Sequence, residues 1–204
     1  MTVLDKNNLL ARLPELSGVE LELGCGATKR DRTAIGVDAR DLSGVDLVGD
    51  VFEVLALFPG ASVDAVASYH FVEHVDDLPR LVGELARVIK PRGMLTVVVP
   101  HFSNPYFYSD YTHRRSFGLY TFCYFARSSL FRREVPIYGA TTSFAVVDVE
   151  LGFKSARPFY VRYAIKRGLG AIFNAARWLQ ECYEENFCWL FPCYEIRYTL
   201  QREP

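Results

Sequence analysis

Short apolar segments separated by polar and turn-forming residues occupy the first hundred positions of the chain. Five of these segments predict β-strands, at 19–23, 34–37, 45–48, 63–68 and 94–99. Apolar residues at 78, 81, 82, 85, 88 and 89 recur with the spacing of one helix face, so they predict a helix before the fifth strand. Strands that alternate with helices in this way predict an α/β fold with a parallel, doubly wound sheet.

The second half of the chain departs from this alternation. Residues 100–125 contain two prolines and 10 aromatic residues, and they predict a long loop with a short helix near 119–126. The segments 144–151 and 194–200 are rich in strand-forming residues and predict two further strands. Between them, 165–189 predicts an aromatic-rich helix. At the other end of the chain, 4–13 predicts a short amphipathic helix.

A length of 204 residues, half of them apolar, fits a single domain that spans 1–204. The net charge of −1 divides unevenly, because residues 1–100 carry −5 and residues 101–204 carry +4. Aromatic residues divide the same way, with 4 in the first half and 25 in the second. We therefore predict a cofactor-binding half at 18–100. The half at 101–204 then supplies an aromatic lid after the fifth strand, acceptor-side elements and the last strands.

Several classes of protein are disfavoured by the sequence. No uncharged run is long and apolar enough to predict a transmembrane helix, and the N-terminal residues lack the order of a signal peptide. The five cysteines form no C-x-x-C pair, which predicts a reduced, cytoplasmic protein. No basic tract is present, so DNA binding is not expected and a large RNA surface is disfavoured.

Acidic residues and glycines mark the ends of the first three predicted strands, where open α/β sheets bind ligands. Gly24 and Gly26 let a ligand approach the backbone of the first turn. Asp38 closes the second strand, where a carboxylate can accept hydrogen bonds from both hydroxyls of a ribose. Asp50 closes the third strand, where it can accept from an adenine amino group. Glu22 can orient the cationic amino-acid part of a ligand.

The same turn argues against a dinucleotide. In the G-x-G-x-x-G register of nicotinamide-cofactor sites the third glycine position holds Lys29, and Asp38 follows Gly24 by only 14 residues. Only the positions 27–34 remain for a first helix and its return loop, which leaves little helix to hold a pyrophosphate. S-adenosylmethionine contains adenosine but no phosphate, and it fits this pattern better.

The ordered motifs of the first half resemble those of class I S-adenosylmethionine-dependent methyltransferases of the small type 11 methyltransferase-domain family. The resemblance is carried by 22–26 (ELGCG), by 35–38 (IGVD) and by 63–100, which includes SYHFVEHVDD, ELARVIKPRG and MLTVVVP. It implies a Rossmann-like, mostly parallel sheet of seven strands, in which 194–200 supplies the antiparallel seventh. It also implies an enzyme that uses S-adenosylmethionine and releases S-adenosylhomocysteine.

Matched position by position, the resemblance also implies a set of cofactor contacts. The implied contacts are Glu22, Gly24, Cys25 and Gly26 at the methionine part, Asp38 at the ribose, Asp50 and Val51 at the adenine, and Tyr69 and His70 at the methyl-donor side. The absent third glycine and the shortened first helix depart from the family pattern and affect the details of the first turn.

The string from His70 to His74 matches H-x-x-E-H, the inverted zinc-protease pattern. That chemistry requires both histidines on one helix face and a third ligand elsewhere, whereas His70 follows a strand and the predicted helix begins later. The family that the chain resembles carries a similar string without zinc. We therefore expect no metal, and we interpret His74 as a packing or capping residue.

Methyl transfer is an in-line displacement, so the protein mainly aligns the nucleophile and excludes water. A sugar hydroxyl needs a general base to accept its proton, whereas a carboxylate does not. The predicted lid offers three candidates for this acid–base role: His101, His113 and Asp110. Candidate acceptor contacts are Tyr106, Tyr111 and an anion clamp formed by Arg114 and Arg115. Residues 101–167 hold 10 basic and 4 acidic residues, which favours a small anionic acceptor: a sugar, a nucleotide-sugar or a lipid-linked glycan.

Two other functions stay open at this stage. A non-catalytic module could use S-adenosylmethionine as a structural ligand or sensor, and aromatic residues of the lid would then block the acceptor pocket. A nicotinamide-dependent oxidoreductase is the other, and tight NADH binding would favour it. The predicted helix at 165–189 can pack on the sheet, form a homodimer or lie on a membrane surface.

Overall fold

The computed structural model describes residues 3–137, 143–155 and 158–204. Its central feature is an eight-stranded sheet in the order β1-β4-β3-β2-β5-β6-β8-β7. The strands are β1 (Leu4–Asp5), β2 (Glu20–Leu23), β3 (Ile35–Asp38), β4 (Leu47–Val48), β5 (Val63–Tyr69), β6 (Ile89–Pro100), β7 (Phe144–Gly152) and β8 (Glu195–Arg202). The helices are α1 (Leu9–Arg12), α2 (Val51–Ala56), α3 (Leu78–Val88), α4 (Tyr160–Phe173) and α5 (Arg177–Asn186).

The sheet has a parallel centre with antiparallel strands at both sides. The strands β4, β3, β2, β5 and β6 pair in parallel. β8 lies antiparallel between β6 and β7, and β1 pairs antiparallel with β4. The α/β class and the antiparallel C-terminal strand are confirmed. The sheet is nevertheless mixed and has eight strands within the described residues, one more than predicted.

The eighth strand comes from the N-terminal segment, where the sequence predicts one helix over 4–13. The structure forms β1 and then α1, because the Asp5 carboxylate accepts hydrogen bonds from the N–H groups of Leu9 and Leu10 at 2.9 and 2.8 Å. These bonds satisfy backbone groups that the first turn of a helix leaves free. α1 therefore begins at Leu9, and Leu4 is left to pair with Val48 of β4.

The connection between β2 and β3, which the structure describes in full, contains no helix, contrary to the short helix expected within 27–34. Lys29 Nζ lies 2.7 Å from Asp46 Oδ2 and 2.7 Å from a carbonyl oxygen of the same loop. The Glu22 carboxylate accepts hydrogen bonds from the N–H groups of Arg30 and Asp31, the shortest at 2.9 Å. Side chains therefore satisfy the backbone of this loop in place of helical hydrogen bonds.

The helix predicted before the fifth strand is confirmed as α3. Its buried residues are those of the predicted apolar face: Leu78, Leu81, Val82, Leu85 and Val88. Asp77 caps the N-terminus of α3 by accepting a hydrogen bond from the N–H of Arg80 at 3.0 Å. This packing covers one face of the parallel strands and fixes the connection from β5 to β6.

The prediction of a single helix over 165–189 is wrong, because the structure forms two helices, α4 and α5, with a break between them. Asn174 lies at the break, where its side-chain amide donates to the Leu151 carbonyl at 2.8 Å and accepts from the Leu151 N–H at 2.9 Å. These bonds tie the end of α4 to β7, so the chain turns there. Among the described helices, none has the length and apolar character needed to span a bilayer.

The post-β6 segment, residues 101–125, follows directly after the fifth predicted strand. Its first part exposes Tyr106, Tyr108 and Tyr111 to solvent. Its second part buries Phe117 and Phe122 in the core and contains a 3₁₀ turn at Thr121–Tyr124, close to the predicted short helix. The segment is therefore an exposed loop anchored by a buried second half.

Candidate active site

The carboxyl ends of four adjacent parallel strands, β4, β3, β2 and β5, meet at one edge of the sheet. The register pairs Leu23 at the end of β2 with Val37 of β3 and with Ser68 of β5. Ligands of open α/β sheets bind at such an edge. The sequence-predicted cofactor residues follow these strand ends: 22–26 after β2, Asp38 in β3, Asp50 and Val51 after β4, and Tyr69 and His70 at β5.

Two glycines in the turn after β2 have positive φ angles, +66° at Gly24 and +60° at Gly26. At Gly24 an added Cβ atom would lie 2.4 Å from the Cβ of Phe71, so the position also lacks room for a side chain. At Gly26 an added Cβ atom would meet nothing within 4 Å. Open space therefore lies beside the backbone at Gly26, where a ligand can approach, whereas Phe71 covers Gly24.

The Asp38 carboxylate accepts a hydrogen bond from the Gly26 N–H at 3.0 Å and another from the Arg40 N–H at 2.9 Å. Each carboxylate oxygen has two lone pairs, so each can accept one more hydrogen bond. The side chain is 14% exposed, which leaves the carboxylate reachable at the sheet edge. This geometry fits the predicted ribose contact.

Asp50 precedes α2 and caps its N-terminus, where its side chain accepts hydrogen bonds from the N–H groups of Phe52 and Glu53. Its side chain remains exposed at the surface. Val51 is buried as the first residue of α2, so its side chain belongs to the core. For the predicted adenine contact, Asp50 therefore offers an exposed carboxylate, and Val51 offers only its backbone groups.

Glu22 is only 3% exposed and lies beneath the loop that connects β2 and β3. Both of its carboxylate oxygens accept hydrogen bonds from loop N–H groups. The carboxylate therefore supports the shape of the loop from below. Its predicted contact with the amino-acid part of the cofactor stays a prediction.

Cys25 lies within the turn after β2 and is buried. Burial, with the negative charge of Asp38 as the next cause, raises the pKa of the Cys25 thiol to about 11. The thiol is therefore protonated at neutral pH. This supports the interpretation of Cys25 as a small residue beside the cofactor and argues against a nucleophile.

His70 follows β5 in the left-handed backbone region, with a φ of +53°. Its Nε2 lies 3.2 Å from Glu195 Oε2, and its Nδ1 lies 3.5 Å from Glu73 Oε1. The hydrogen bond with Glu195, followed by the interaction with Glu73, raises the pKa of His70 to about 9. The neighbouring Tyr69 ring carries the Arg30 guanidinium 4.2 Å from its centroid. The carboxyl end of β5 therefore carries the Arg30 guanidinium and a His70 ring that pairs with two carboxylates.

A cleft of about 950 Å³ begins at His70 and extends between the post-β6 segment and α4. Four further basic side chains line it: Arg30, Lys154, Arg162 and Lys166. Within the described residues no carboxylate side chain lines this cleft. Its volume is that of a small-molecule site, and its charge suits an anion.

The structure brings one of the predicted acceptor contacts to this cleft. Tyr106 lines it, whereas Tyr111 projects into solvent and is 92% exposed. Arg114 Nε lies 3.4 Å from Asp76 Oδ1, and Arg115 donates to the carbonyl groups of residues 75 and 76. The two arginines thus hold the post-β6 segment on the turn before α3.

The three predicted acid–base residues separate into two places. His101 is fully buried, with Nδ1 at 2.8 Å from Ser103 Oγ and Nε2 at 3.2 Å from Glu184 Oε1. His113 and Asp110 lie together near the surface, with Nε2 and Oδ2 3.6 Å apart. The geometry therefore gives His101 contacts of a core residue, and the catalytic assignment of all three stays a prediction.

Sequence reasoning did not single out the residues that give the cleft its charge. Arg30 lies in the loop after β2, Lys154 follows β7, and Arg162 and Lys166 belong to α4. In the sequence, only the excess of basic residues over 101–167 pointed to Lys154, Arg162 and Lys166. It could not specify positions, because the cleft forms only when these distant segments pack together.

Comparisons with known proteins agree with the fold. Residues 27–97 match the sequence model of a family described as a methyltransferase domain. A structure described as a SAM-dependent methyltransferase from Archaeoglobus fulgidus is similar, with 20% identity and a TM-score of 0.56 over 97% of this chain and 94% of that chain. The YcgJ protein from Bacillus subtilis is similar with 18% identity and a TM-score of 0.51, over 96% of this chain and 97% of that one. No curated protein sequence matches the chain.

The α/β sheet and the match of residues 27–97 to a methyltransferase domain identify an α/β methyltransferase whose methyl donor is S-adenosylmethionine. The family match covers residues 27–97, and the likeness to the two solved structures concerns the fold. The residues present fit the cofactor, because the turn leaves open space beside Gly26 and Asp38 offers acceptors for hydroxyl groups.

Proposed function

We propose that this enzyme methylates a small anionic acceptor: a phosphorylated or acidic sugar, a nucleotide-sugar or a lipid-linked glycan. The basic cleft that opens at His70 is the observation that carries this proposal. His70 directly follows Tyr69 at the predicted methyl-donor side of the cofactor site. An acceptor held in the cleft would therefore lie beside the group that it receives.

The cofactor supplies an electrophilic sulfonium methyl group, and the protein's task is to align an acceptor with it. In the proposal Asp38 fixes the ribose, Asp50 faces the adenine, and Gly26 gives the cofactor access to the backbone. Tyr69 and His70 border the donor side. The protein then excludes water around the acceptor, for which the post-β6 segment is placed at the mouth of the cleft.

The charges around the cleft support an acceptor with a phosphate or carboxylate group. Arg162 Nε is fixed by Ser155 Oγ at 2.7 Å, and Arg30 is held over Tyr69. Lys154 pairs with Glu195 at 2.6 Å, so that lysine is partly neutralised. Arg30, Arg162 and Lys166 are without a carboxylate partner among the described ion pairs, and they remain to bind an anion.

The surface of α4 favours the lipid-linked member of these three classes. Three large side chains at the start of α4 are exposed to solvent: Phe159 is 56% exposed, Tyr160 66% and Val161 76%. Arg162 and Lys166 of the same helix line the cleft. α4 thus presents apolar contacts and positive charge side by side, which a lipid-linked phosphate requires. A homodimer through the same residues is the competing explanation.

Radiolabelled methyl transfer to a panel of acceptors tests the proposal. We expect transfer to anionic acceptors and little transfer to their neutral counterparts. Removing one charge from the cleft, by Arg162→Gln or Lys166→Gln, should raise KM at least about tenfold, since a charge-assisted hydrogen bond contributes about 1.5–3 kcal/mol. The affinity for S-adenosylhomocysteine should not change in these variants.

A matched control removes an exposed arginine elsewhere. Arg127 is 72% exposed and lies 3.8 Å from Glu203, outside the cleft, so Arg127→Gln should leave KM unchanged. Equal transfer to neutral acceptors, together with an unchanged KM in the cleft variants, would contradict the anionic proposal. Vesicle flotation with and without anionic lipid, alongside sedimentation of the protein alone, separates lipid contact by α4 from dimerisation.

A further inference from the structure

We propose that Glu73, His74 and His113 form a binding site for a divalent transition-metal ion, with zinc as the preferred ion. One ligand atom from each of these residues lies within 4.8 Å of the others. The three residues come from two segments that are far apart in the sequence. Neither the cofactor site nor the basic cleft uses them directly.

The fold brings the ligands together through a backbone contact. Glu73 and His74 lie in a 3₁₀ turn, Val72–His74, that follows β5. His113 belongs to the post-β6 segment, and the N–H of its neighbour Arg114 donates to the Glu73 carbonyl at 2.8 Å. The rings of His74 and His113 consequently lie with their centroids 4.9 Å apart.

Hydrogen bonds leave one nitrogen of each histidine free to bind a metal. His113 Nδ1 lies 2.8 Å from the Phe107 carbonyl, which can only accept, so Nδ1 carries the proton and Nε2 keeps a lone pair. The Thr112 hydroxyl donates to Asp110 at 2.5 Å and therefore accepts from His74 Nδ1 at 2.9 Å. His74 Nε2 keeps a lone pair for the same reason. Metal-binding histidines are characteristically oriented by an acceptor at their second nitrogen.

The Glu73 carboxylate supplies an independent reason for a cation at this place. The residue is only 1% exposed, and neither of its carboxylate oxygens has a hydrogen-bond partner. The nearest basic nitrogen among its described ion pairs, His70 Nδ1, is 3.5 Å from Oε1. A buried carboxylate without hydrogen bonds is unfavourable, and a metal ion beside it would remove that cost.

Two imidazoles and one carboxylate form a ligand set that zinc uses with a fourth, open position. Ligand atoms of a tetrahedral zinc site lie about 3.4 Å apart, so the cluster would have to contract by about 1 Å or somewhat more on binding. Asp110 Oδ2, 3.6 Å from His113 Nε2, lies at the rim and can supply or orient a fourth ligand. His70 is not part of this set, because Glu195 holds its Nε2. The site therefore differs from the H-x-x-E-H pattern in the sequence.

A metal ion here would join the post-β6 segment to the turn after β5, directly behind His70 at the start of the cleft. It would fix one wall of the acceptor cleft. Coordination would also occupy the His113 nitrogen that a general base needs. In the metal-loaded protein His113 would therefore be a ligand and not a base.

Titration calorimetry of the chelator-treated protein with zinc chloride tests the site without cofactor or acceptor. We expect one ion per chain and an increase in the thermal unfolding temperature. His74→Gln and His113→Gln should abolish this stoichiometric binding. Thr112→Val removes only the group that orients His74, and it should weaken zinc binding about 10–100-fold. Circular dichroism and S-adenosylhomocysteine binding establish that each variant is folded.

Cysteine is the competing zinc ligand, and Cys182 is the one cysteine of the chain that is not buried. Cys182→Ser should leave zinc binding unchanged, and the cobalt-substituted protein should lack the charge-transfer absorption of a cobalt–thiolate bond. Three results would overturn the proposal: folded wild-type protein that binds no ion, equal binding by the two histidine variants, or loss of binding in Cys182→Ser.

Discussion

The Asp38 carboxylate accepts a hydrogen bond from the backbone N–H of Gly26 at 3.0 Å, which joins the end of β3 to the turn after β2. The predicted ribose contact and the predicted methionine-side turn are therefore one connected unit. A ligand that engages Asp38 meets a turn whose position is already fixed. Changes on either side of this bond should affect cofactor binding together.

The two glycines of this turn should differ in their tolerance of a side chain. Gly26→Ala introduces strain from the positive φ angle but no clash, at a cost of about 1–2 kcal/mol. Gly24→Ala adds a clash with Phe71 and should destabilise the protein considerably more. Urea unfolding of both variants measures the difference. Equal free energies of unfolding would show that Phe71 does not constrain the turn.

Lys29 should stabilise the fold through its contacts with the loop between β2 and β3. It is mostly buried and pairs with Asp46 at 2.7 Å, so Lys29→Met leaves Asp46 without that partner and should cost about 3 kcal/mol. The matched control is Lys6→Met, whose partner Asp41 is 64% exposed and whose loss should cost under about 1 kcal/mol. Similar losses in the two variants would contradict the role given to Lys29.

His101 should matter for stability and not for the rate of the folded enzyme. His101→Ala leaves Ser103 and Glu184 without this partner in the core, so we expect a loss of about 2–3 kcal/mol in the free energy of unfolding. With a cognate acceptor, kcat per folded molecule should stay within a few-fold of wild type. A stable His101→Ala protein with no turnover would instead support the base predicted from the sequence.

Cys25 should resist alkylation in the native protein. Its pKa of about 11 lies above neutral pH, so the reactive thiolate is scarce at pH 8. Half-buried Cys182 should react with iodoacetamide first, and mass spectrometry of the digested protein identifies the modified site. Raising the pH toward 11 should increase the thiolate fraction of Cys25. Preferential modification of Cys25 at pH 8 would contradict the raised pKa.

The sequence was sufficient for the parallel centre of the sheet, for α3 and for the strands around 144–151 and 194–200. These elements are specified by local periodicity and by the turn residues at their ends. The predicted strands also placed the glycine turn, Asp38 and Asp50 at strand ends, where the structure has them.

Contacts between distant residues account for what the sequence missed. The helix expected in 27–34 is absent because Lys29 reaches Asp46 and Glu22 binds the loop backbone. The break between α4 and α5 depends on Asn174 meeting Leu151 of β7. His113 meets His74 and Glu73 only after the post-β6 segment folds back. No local pattern contains these pairings.

The most direct test of the cofactor site is calorimetric titration with S-adenosylhomocysteine of the wild type, Asp38→Ala and the surface control Asp41→Ala. We predict binding by the wild type and the control, and affinity at least about tenfold lower in Asp38→Ala, since hydrogen bonds to a charged group contribute about 1.5–3 kcal/mol. No binding by the folded wild type, or equal affinity in Asp38→Ala, would contradict the site.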